Sequence, residues 1–271
     1  MQSHQSGGCM RSIWRGSISF GLVNIPVRLY SASHSRELSF KLLHKKDLSE
    51  IRYARICKAE GKEIPWEEIV KGYEYQPGDY VILADEDFEK ANLKKTKSIE
   101  ILDFTKENEI DPMYYDTPYY LEPEKGAAKA YNLLRESLIK SKKVAIGKFV
   151  FKNHEHLGVI MPHDDILVLN QLRYESELVK PTDLHIPKAE DLSKKEIDMA
   201  LKLIDQLTKP FKPEDYYDTY TKEIKEIIEK KAKGIKTKTK KGEAPKPSKV
   251  HDIMSLLKDS LQKHKKKSRI A

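Results

Sequence analysis

The chain has 271 residues, 39% hydrophobic and 34% charged, with a formal net charge of +8, enough to build one large domain or two smaller ones. It has no run of about 18 apolar residues, as a membrane span would need, and its polar start, residues 1–9, lacks the apolar stretch of a secretory signal. The two cysteines, Cys9 in that loose start and Cys57 further on, offer no structural disulfide, a usage that suits a reducing cytoplasm.

Residues 1–9, rich in Gln, Ser and Gly, read as a disordered leader, and Met10 opens better-patterned sequence. Ile18, Phe20 and Leu22 alternate with small or polar residues, and Val23, Ile25, Val27 and Leu29 then alternate in the opposite phase. A period of two predicts a strand, and the slip near Val23 predicts a bulge in it. Pro26 gives that strand a free edge or a local break. Further strands are predicted at residues 38–43, 52–56, 80–83, 98–104, 118–121, 144–151, 157–161 and 166–172. Pro162-His163-Asp164-Asp165 reads as the turn of a hairpin joining the last two. Eight or nine short strands favour a barrel or sandwich core.

Helices interrupt this pattern. Pro123-Glu124 reads as a helix opening, with Pro at the first helical position, and Ala127, Tyr131, Leu134 and Leu138 make one apolar face. Ser193 and Glu196 form a capping box, each able to satisfy the other's backbone donor, and Ile197, Leu201 and Ile204 continue that helix. Pro213-Glu214 opens another, running to about Lys233 and stopping near Gly234, with Tyr217, Tyr220, Ile224 and Ile227 as its stripe.

Positive charge gathers beyond this point. Residues 222–271 hold 17 Lys and Arg against 6 Asp and Glu, a balance of +11, so residues 1–221 sum to about −3. A near-neutral body with a lysine-rich tail suits a protein that holds a polyanion, the tail attracting without regard to sequence and the folded part selecting. A plain solubilising tail is the other reading. Residues 235–249, with almost nothing to bury, read as a flexible linker. A short amphipathic helix follows at about 249–263, with Val250, Ile253 or Met254, Leu257 and Leu261 on one face and lysines on the other, continuing through Lys265, Lys266 and Lys267. A helix this short is marginal alone; it is either a docking peptide or a helix that folds back on the body.

No catalytic constellation emerges. There is no GxxxxGK phosphate loop and no GxGxxG fingerprint, and no cofactor is expected. His154 and His156 share a strand face but need a third metal ligand, with His163 or Asp165 the nearby options. A metal-dependent nuclease needs converging carboxylates, and only Asp164-Asp165 are adjacent, in a turn. Asp85-Glu86-Asp87 fits the start of a helix, where carboxylates favour the dipole. Cys57 has no partner at metal spacing.

What remains is a binding surface. Lys41, Lys45, Lys46, Arg52, Arg55, Lys58 and Lys62, with His44 among them, lie in an irregular segment between strands. An extended basic arm can lie along a phosphate backbone, contacts that position a duplex without reading its bases. Because Asp47, Glu50, Glu60 and Glu63 are interleaved, a solvated, charge-mixed hairpin is the alternative.

The opening Trp14-Arg15-Gly16-Ser17-Ile18-Ser19-Phe20-Gly21-Leu22-Val23-Asn24-Ile25-Pro26-Val27 closely resembles the start of bacterial Ku, the DNA end-binding protein family of non-homologous end joining. The likeness continues through Gly61-Lys62-Glu63-Ile64-Pro65, Glu68-Ile69-Val70-Lys71-Gly72-Tyr73-Glu74-Tyr75, Asp85-Glu86-Asp87-Phe88, Ile99-Glu100-Ile101 and Tyr119-Tyr120-Leu121-Glu122-Pro123. It reaches Pro210-Phe211-Lys212-Pro213 and Tyr217-Asp218-Thr219-Tyr220. The match spans about residues 10–234, in several dispersed blocks in the right order.

The resemblance implies a mixed, mainly β fold: a Ku-type β-barrel core at 10–192 with an extended bridging arm at about 31–75. A helical segment at 193–234 and a disordered basic tail at 235–271 follow. It implies a homodimer whose chains close a ring, threaded from a free end by double-stranded DNA of any sequence. The basic segment from Lys41 to Lys62 then lies in the arm and lines the ring. It also implies a partner, DNA ligase D, for which Ile253, Leu257 and Leu261 are the docking candidates. The flanking Lys265, Lys266 and Lys267 are further DNA contacts, in a non-enzymatic protein of the cytoplasm and nucleoid. A general nucleic-acid-coating protein working through its tail, or a metal-dependent nuclease using His154, His156 and a nearby Asp, is the alternative.

Overall fold

The computed structural model describes residues 10–34, 38–92, 97–152, 154–186, 192–235 and 253–267. The leader at 1–9 and the linker at 236–249 lie outside the described residues, as does Val250. The chain divides into two compact units, with the boundary between Pro181 and Thr182.

In the first unit, seven strands close a barrel. They are β1 (Trp14–Phe20), β2 (Val23–Ser31), β5 (Ser98–Thr105), β6 (Tyr115–Pro123), β7 (Val144–Phe151), β8 (His154–His163) and β9 (Ile166–Leu172). Their order around the barrel is β1-β2-β6-β9-β8-β7-β5. All pairs are antiparallel except the seam between β1 and β5, where Ile18 lies beside Ile99. The remaining two strands, β3 (Lys71–Gln76) and β4 (Asp79–Leu83), form a separate exposed hairpin that leads into helix α1 (Asp85–Asn92).

The expected bulge near Val23 is a hairpin turn. Gly21 adopts a left-handed φ of 58°, and the chain reverses so that Ile18 faces Ile25 and Phe20 faces Val23. A two-residue turn also inverts the phase of alternation, which is why it resembles a bulge in sequence. Pro26 is tolerated because the ladder with β6 begins only at Val27; the Pro26 carbonyl accepts from Glu124 N at 2.9 Å just beyond it, so no strand donor is missed.

Ile18, Ile25, Val27, Leu29, Ile99, Leu121, Phe149, Ile160, Leu167 and Leu169 are buried inside the barrel wall. Helix α2 (Ala128–Ser141) contributes Tyr131, Leu134 and Leu138 to the same cluster, with Ala127 at its N-cap. The predicted apolar stripe is therefore core, but Pro123 does not open the helix. It ends β6, paired with Val27, and the helix starts five residues later.

The second unit holds α3 (Lys194–Leu207), α4 (Thr219–Ala232) and α5 (Ile253–Lys267). Ser193 Oγ accepts from Glu196 N while Glu196 accepts from Ser193 N at 2.8 Å, the predicted capping box. Hydrogen bonding from Ser193 holds the Glu196 carboxyl below its usual range. Pro213 begins only a 3-10 turn, and α4 is opened instead by Asp218, whose carboxylate accepts from Thr221 N. Gly234, at φ 73°, ends it as expected. No helix of the described residues is long and apolar enough to cross a membrane.

Candidate nucleic-acid interface

Between β2 and β3 the chain leaves the barrel as an arm. From Ser39 to Val70 every residue is exposed except the half-buried Cys57 and Ile64. The strands expected at 38–43 and 52–56 do not form. Each contributes only one isolated bridge, Leu43 with Glu50 and Ile56 with Glu63. A single bridge has no third strand to extend it, so alternation of apolar residues there is not enough to make a sheet.

The two bridges belong to one repeated unit. His44 N donates to Ser49 O at 2.8 Å, Leu48 N to His44 O at 2.8 Å and Ile51 N to Leu42 O at 3.0 Å. Thirteen residues later Cys57 N donates to Lys62 O at 2.9 Å, Gly61 N to Cys57 O at 2.9 Å and Ile64 N to Arg55 O at 2.8 Å. Leu48 and Gly61 both take a left-handed φ, 60° and 69°. The sequence carries the repeat as Lys45-x-Asp47-x-x-Glu50-Ile51 and Lys58-x-Glu60-x-x-Glu63-Ile64, a signal that apolar alternation does not reveal. Only Gly occupies this conformation freely, so Gly61 announces its turn while Leu48 conceals the other.

The repeat places Lys45 and Lys58 at equivalent positions of two exposed turns, with Lys46 beside the first and Lys62 closing the second. Arg52 falls between the two units, and Arg55 begins the second. Among the described residues no carboxylate lies within ion-pair distance of Lys45, Lys46, Arg52, Arg55, Lys58 or Lys62. Lys41 differs, because Glu50 neutralises it across the first unit. His44 Nδ1 meets Asp47 Oδ1 at 2.9 Å. The backbone and hydroxyl of Ser49, then His44, hold the Asp47 carboxyl below its usual range. Asp47 and Glu50 are therefore tied up within the first turn, and six of the seven predicted cations have no carboxylate in ion-pair reach among the described residues.

Trp66, absent from the sequence-derived candidates, lies beneath one of them. The Arg55 guanidinium carbon sits 4.5 Å from the centre of its ring. In the second turn the Cys57 thiol is drawn below its ordinary value by the backbone of Glu60 and Ala59.

The arm and the β3–β4 hairpin also expose large apolar side chains, including Phe40 at 67%, Tyr53 at 85%, Tyr73 at 65% and Ile82 at 64%. A surface of this kind marks an interaction site.

The other candidates are placed as follows. His154 and His156 have ring centres 6.5 Å apart, and His156 Nε2 is within 3.2 Å of the Phe151 carbonyl. Asp165 reaches Arg135 at 3.7 Å. Among the described residues no three His, Cys, Asp or Glu side chains converge as a metal site. In the second unit α5 lies against α3. Gln206 Nε2 donates to Leu261 O at 3.5 Å, and Leu257 and Leu261 are half-buried while Lys258 and Asp259 are exposed. Ile253 is the first residue of this helix, and Lys265, Lys266 and Lys267 end it.

A closed seven-stranded barrel with a long exposed arm inserted after its second strand defines the class. Residues 19–199 match the family described as the Ku70/Ku80 beta-barrel domain, and the chain belongs to the Ku family. It is 45% identical over 257 residues to the Non-homologous end joining protein Ku of Opitutus terrae, covering 93% of this chain and 91% of that one. It is 42% identical over 254 residues to the protein of that name from Archaeoglobus fulgidus, covering 93% and 99%. With that of Bacillus subtilis it shares 35% over 262 residues, covering 96% and 84%.

Proposed function

We propose that two copies of this chain close a ring around double-stranded DNA. The ring loads from a free end without regard to sequence, and the C-terminal region brings DNA ligase D to the break in non-homologous end joining. The observation that carries this reading is the arm, an exposed segment in which six cations have no carboxylate in ion-pair reach among the described residues. Lys and Arg presented in this way meet phosphates, which are the same in every sequence. The names of the relatives, which place them in end joining, support the substrate.

Ring closure is supported by the apolar side chains of the arm and hairpin, which a lone chain leaves in water. A ring also explains how a body near neutrality holds DNA, since a closed cationic channel focuses its field inward. The tail, with its balance of +11 from residue 222 onward, adds attraction of its own. Docking of the ligase is assigned to the apolar face of α5, with Ile253, Leu257 and Leu261 as its contacts.

The test is a gel-shift comparison of linear and covalently closed circular DNA of one sequence, across a salt series. Tight binding confined to the linear form supports threading from an end. Equal binding to both, lost steeply with salt, makes the lysine tail the binding element and rejects the ring.

A further inference from the structure

We infer that Trp66 is a positioning residue: its indole holds the Arg55 guanidinium in place as a preformed phosphate clamp. The inference rests on reading the arm as the DNA-binding element and singles out which of its cations is built for the task.

Three observations converge on this pair. First, the backbone of Arg55 is fastened, with Ile64 N bonding to its carbonyl at 2.8 Å across the second turn unit. Second, Trp66 is fixed just beyond. Pro65 is extended, a 3-10 turn runs from Trp66 to Glu68, and Glu68 N and Ile69 N bond back to Pro65 O and Trp66 O at 3.2 and 3.1 Å. Third, the guanidinium lies 4.5 Å from the ring centre with no carboxylate in ion-pair reach among the described residues, so its donors remain available.

The other cation–π pairs of the described residues are different. Lys71 over Phe88 is held by Asp85 at 2.9 Å, and Lys209 over Tyr216 by Asp215 at 3.4 Å. Lys152 sits 5.3 Å from the Phe151 ring and carries an ammonium. Arg55 alone presents a planar fork, which matches two phosphate oxygens at once. Stacking removes rotamer freedom before the DNA arrives, so less is lost on binding. The first turn unit has Leu42 where the second has Arg55, so only the second carries a clamp.

The test is a double-mutant cycle on the full-length protein, titrating a labelled blunt duplex with wild type, Trp66→Ala, Arg55→Ala and the double variant. Exposed cation–π contacts are worth about two- to fivefold in an equilibrium constant, so Trp66→Ala is expected to weaken binding about threefold per protomer. In the Arg55→Ala background the same substitution is expected to have no effect. Trp66→Phe, which keeps an aromatic face, is expected to restore most of the loss, and Arg55→Ala to lower the salt slope by about one per protomer.

An equal loss from Trp66→Ala in both backgrounds would overturn the inference, showing that Trp66 acts alone, on the fold of the arm or by stacking on bases. If Arg55→Ala leaves binding and salt slope unchanged, the clamp falls, and Arg52→Glu combined with Arg55→Glu decides whether the arm's role falls with it. If Arg55→Ala weakens binding but Trp66→Ala does not, the arm stands and only the positioning role is lost. Trp66→Leu, which keeps apolar bulk without an aromatic face, is expected to lose as much as the alanine variant and keeps the question answerable should that variant fail to fold.

Discussion

The hydroxyl of Tyr131 donates to the main-chain carbonyl of Leu121 at 2.7 Å. It also accepts from Leu167 N at 2.6 Å. Leu121 and Leu167 face each other where β6 pairs with β9, so a side chain of α2 supplies a rung between two barrel strands. The exposed arm leaves the barrel at the end of β2, the neighbour of β6, so this link helps set the frame from which the arm projects.

Tyr131→Phe keeps the ring and removes the rung, leaving two buried backbone groups short of a partner. Unfolding in urea is expected to show a loss of about 2–3 kcal/mol. Burial holds the Tyr131 phenol above its ordinary value of 10.0. Its stabilising contribution is therefore complete below pH 10 and declines as pH rises beyond it, because the unfolded chain ionises first. The slope of stability against pH above that point is expected to be shallower in the Phe variant.

Gly16 lies on the parallel seam. A Cβ there would come within 2.2 Å of the Lys97 carbonyl and 2.1 Å of the Trp14 ring. Ser17 N bonds that same carbonyl at 3.0 Å, so Gly16→Ala pushes β1 away from the contact that closes the barrel. A loss of about 1–3 kcal/mol is expected, read as a lower thermal midpoint with DNA absent.

Arg52→Glu combined with Arg55→Glu reverses two exposed charges that have no carboxylate in ion-pair reach among the described residues. Duplex binding is expected to fall at least about a hundredfold at moderate salt, with the elution volume of the protein unchanged. Unaltered binding would remove the arm from the interface.

Deleting residues 236–271 takes away twelve Lys and Arg. A lower affinity and a smaller salt slope are expected, with the preference for linear over circular DNA retained. Loss of all binding would assign the interaction to the tail.

Leu257→Asp with Leu261→Asp alters the face on which α5 is half-buried. Faster amide exchange along α5 is expected, together with weaker stimulation of the ligase. Unchanged stimulation would place ligase docking elsewhere, with residues 222–234 the next segment to test. Because α5 lies against α3, Gln206→Ala, which removes the bond from α3 to the Leu261 carbonyl, is expected to raise ligase docking rather than lower it.

Features that depend on neighbours along the chain were legible in the amino-acid sequence itself. The Ser193–Glu196 box, the stripe from Ala127 to Leu138, the turn between β8 and β9 and the stop at Gly234 all close within a few residues, so spacing encodes them. The dispersed blocks from Trp14 to Tyr220 carried the family for the same reason, as linear order alone. Strand membership was different, because alternation records which face is apolar and not whether a neighbouring strand exists. Residues 38–43 and 52–56 alternate like strands and find only single bridges, while Phe20 and Val23 look like one bulged strand and are two. Only the tertiary structure aligned the two arm turns, set Arg55 on Trp66 across eleven residues and laid α5 along α3. These are contacts between segments that sequence spacing does not constrain, decided by where the folded backbone brings each side chain.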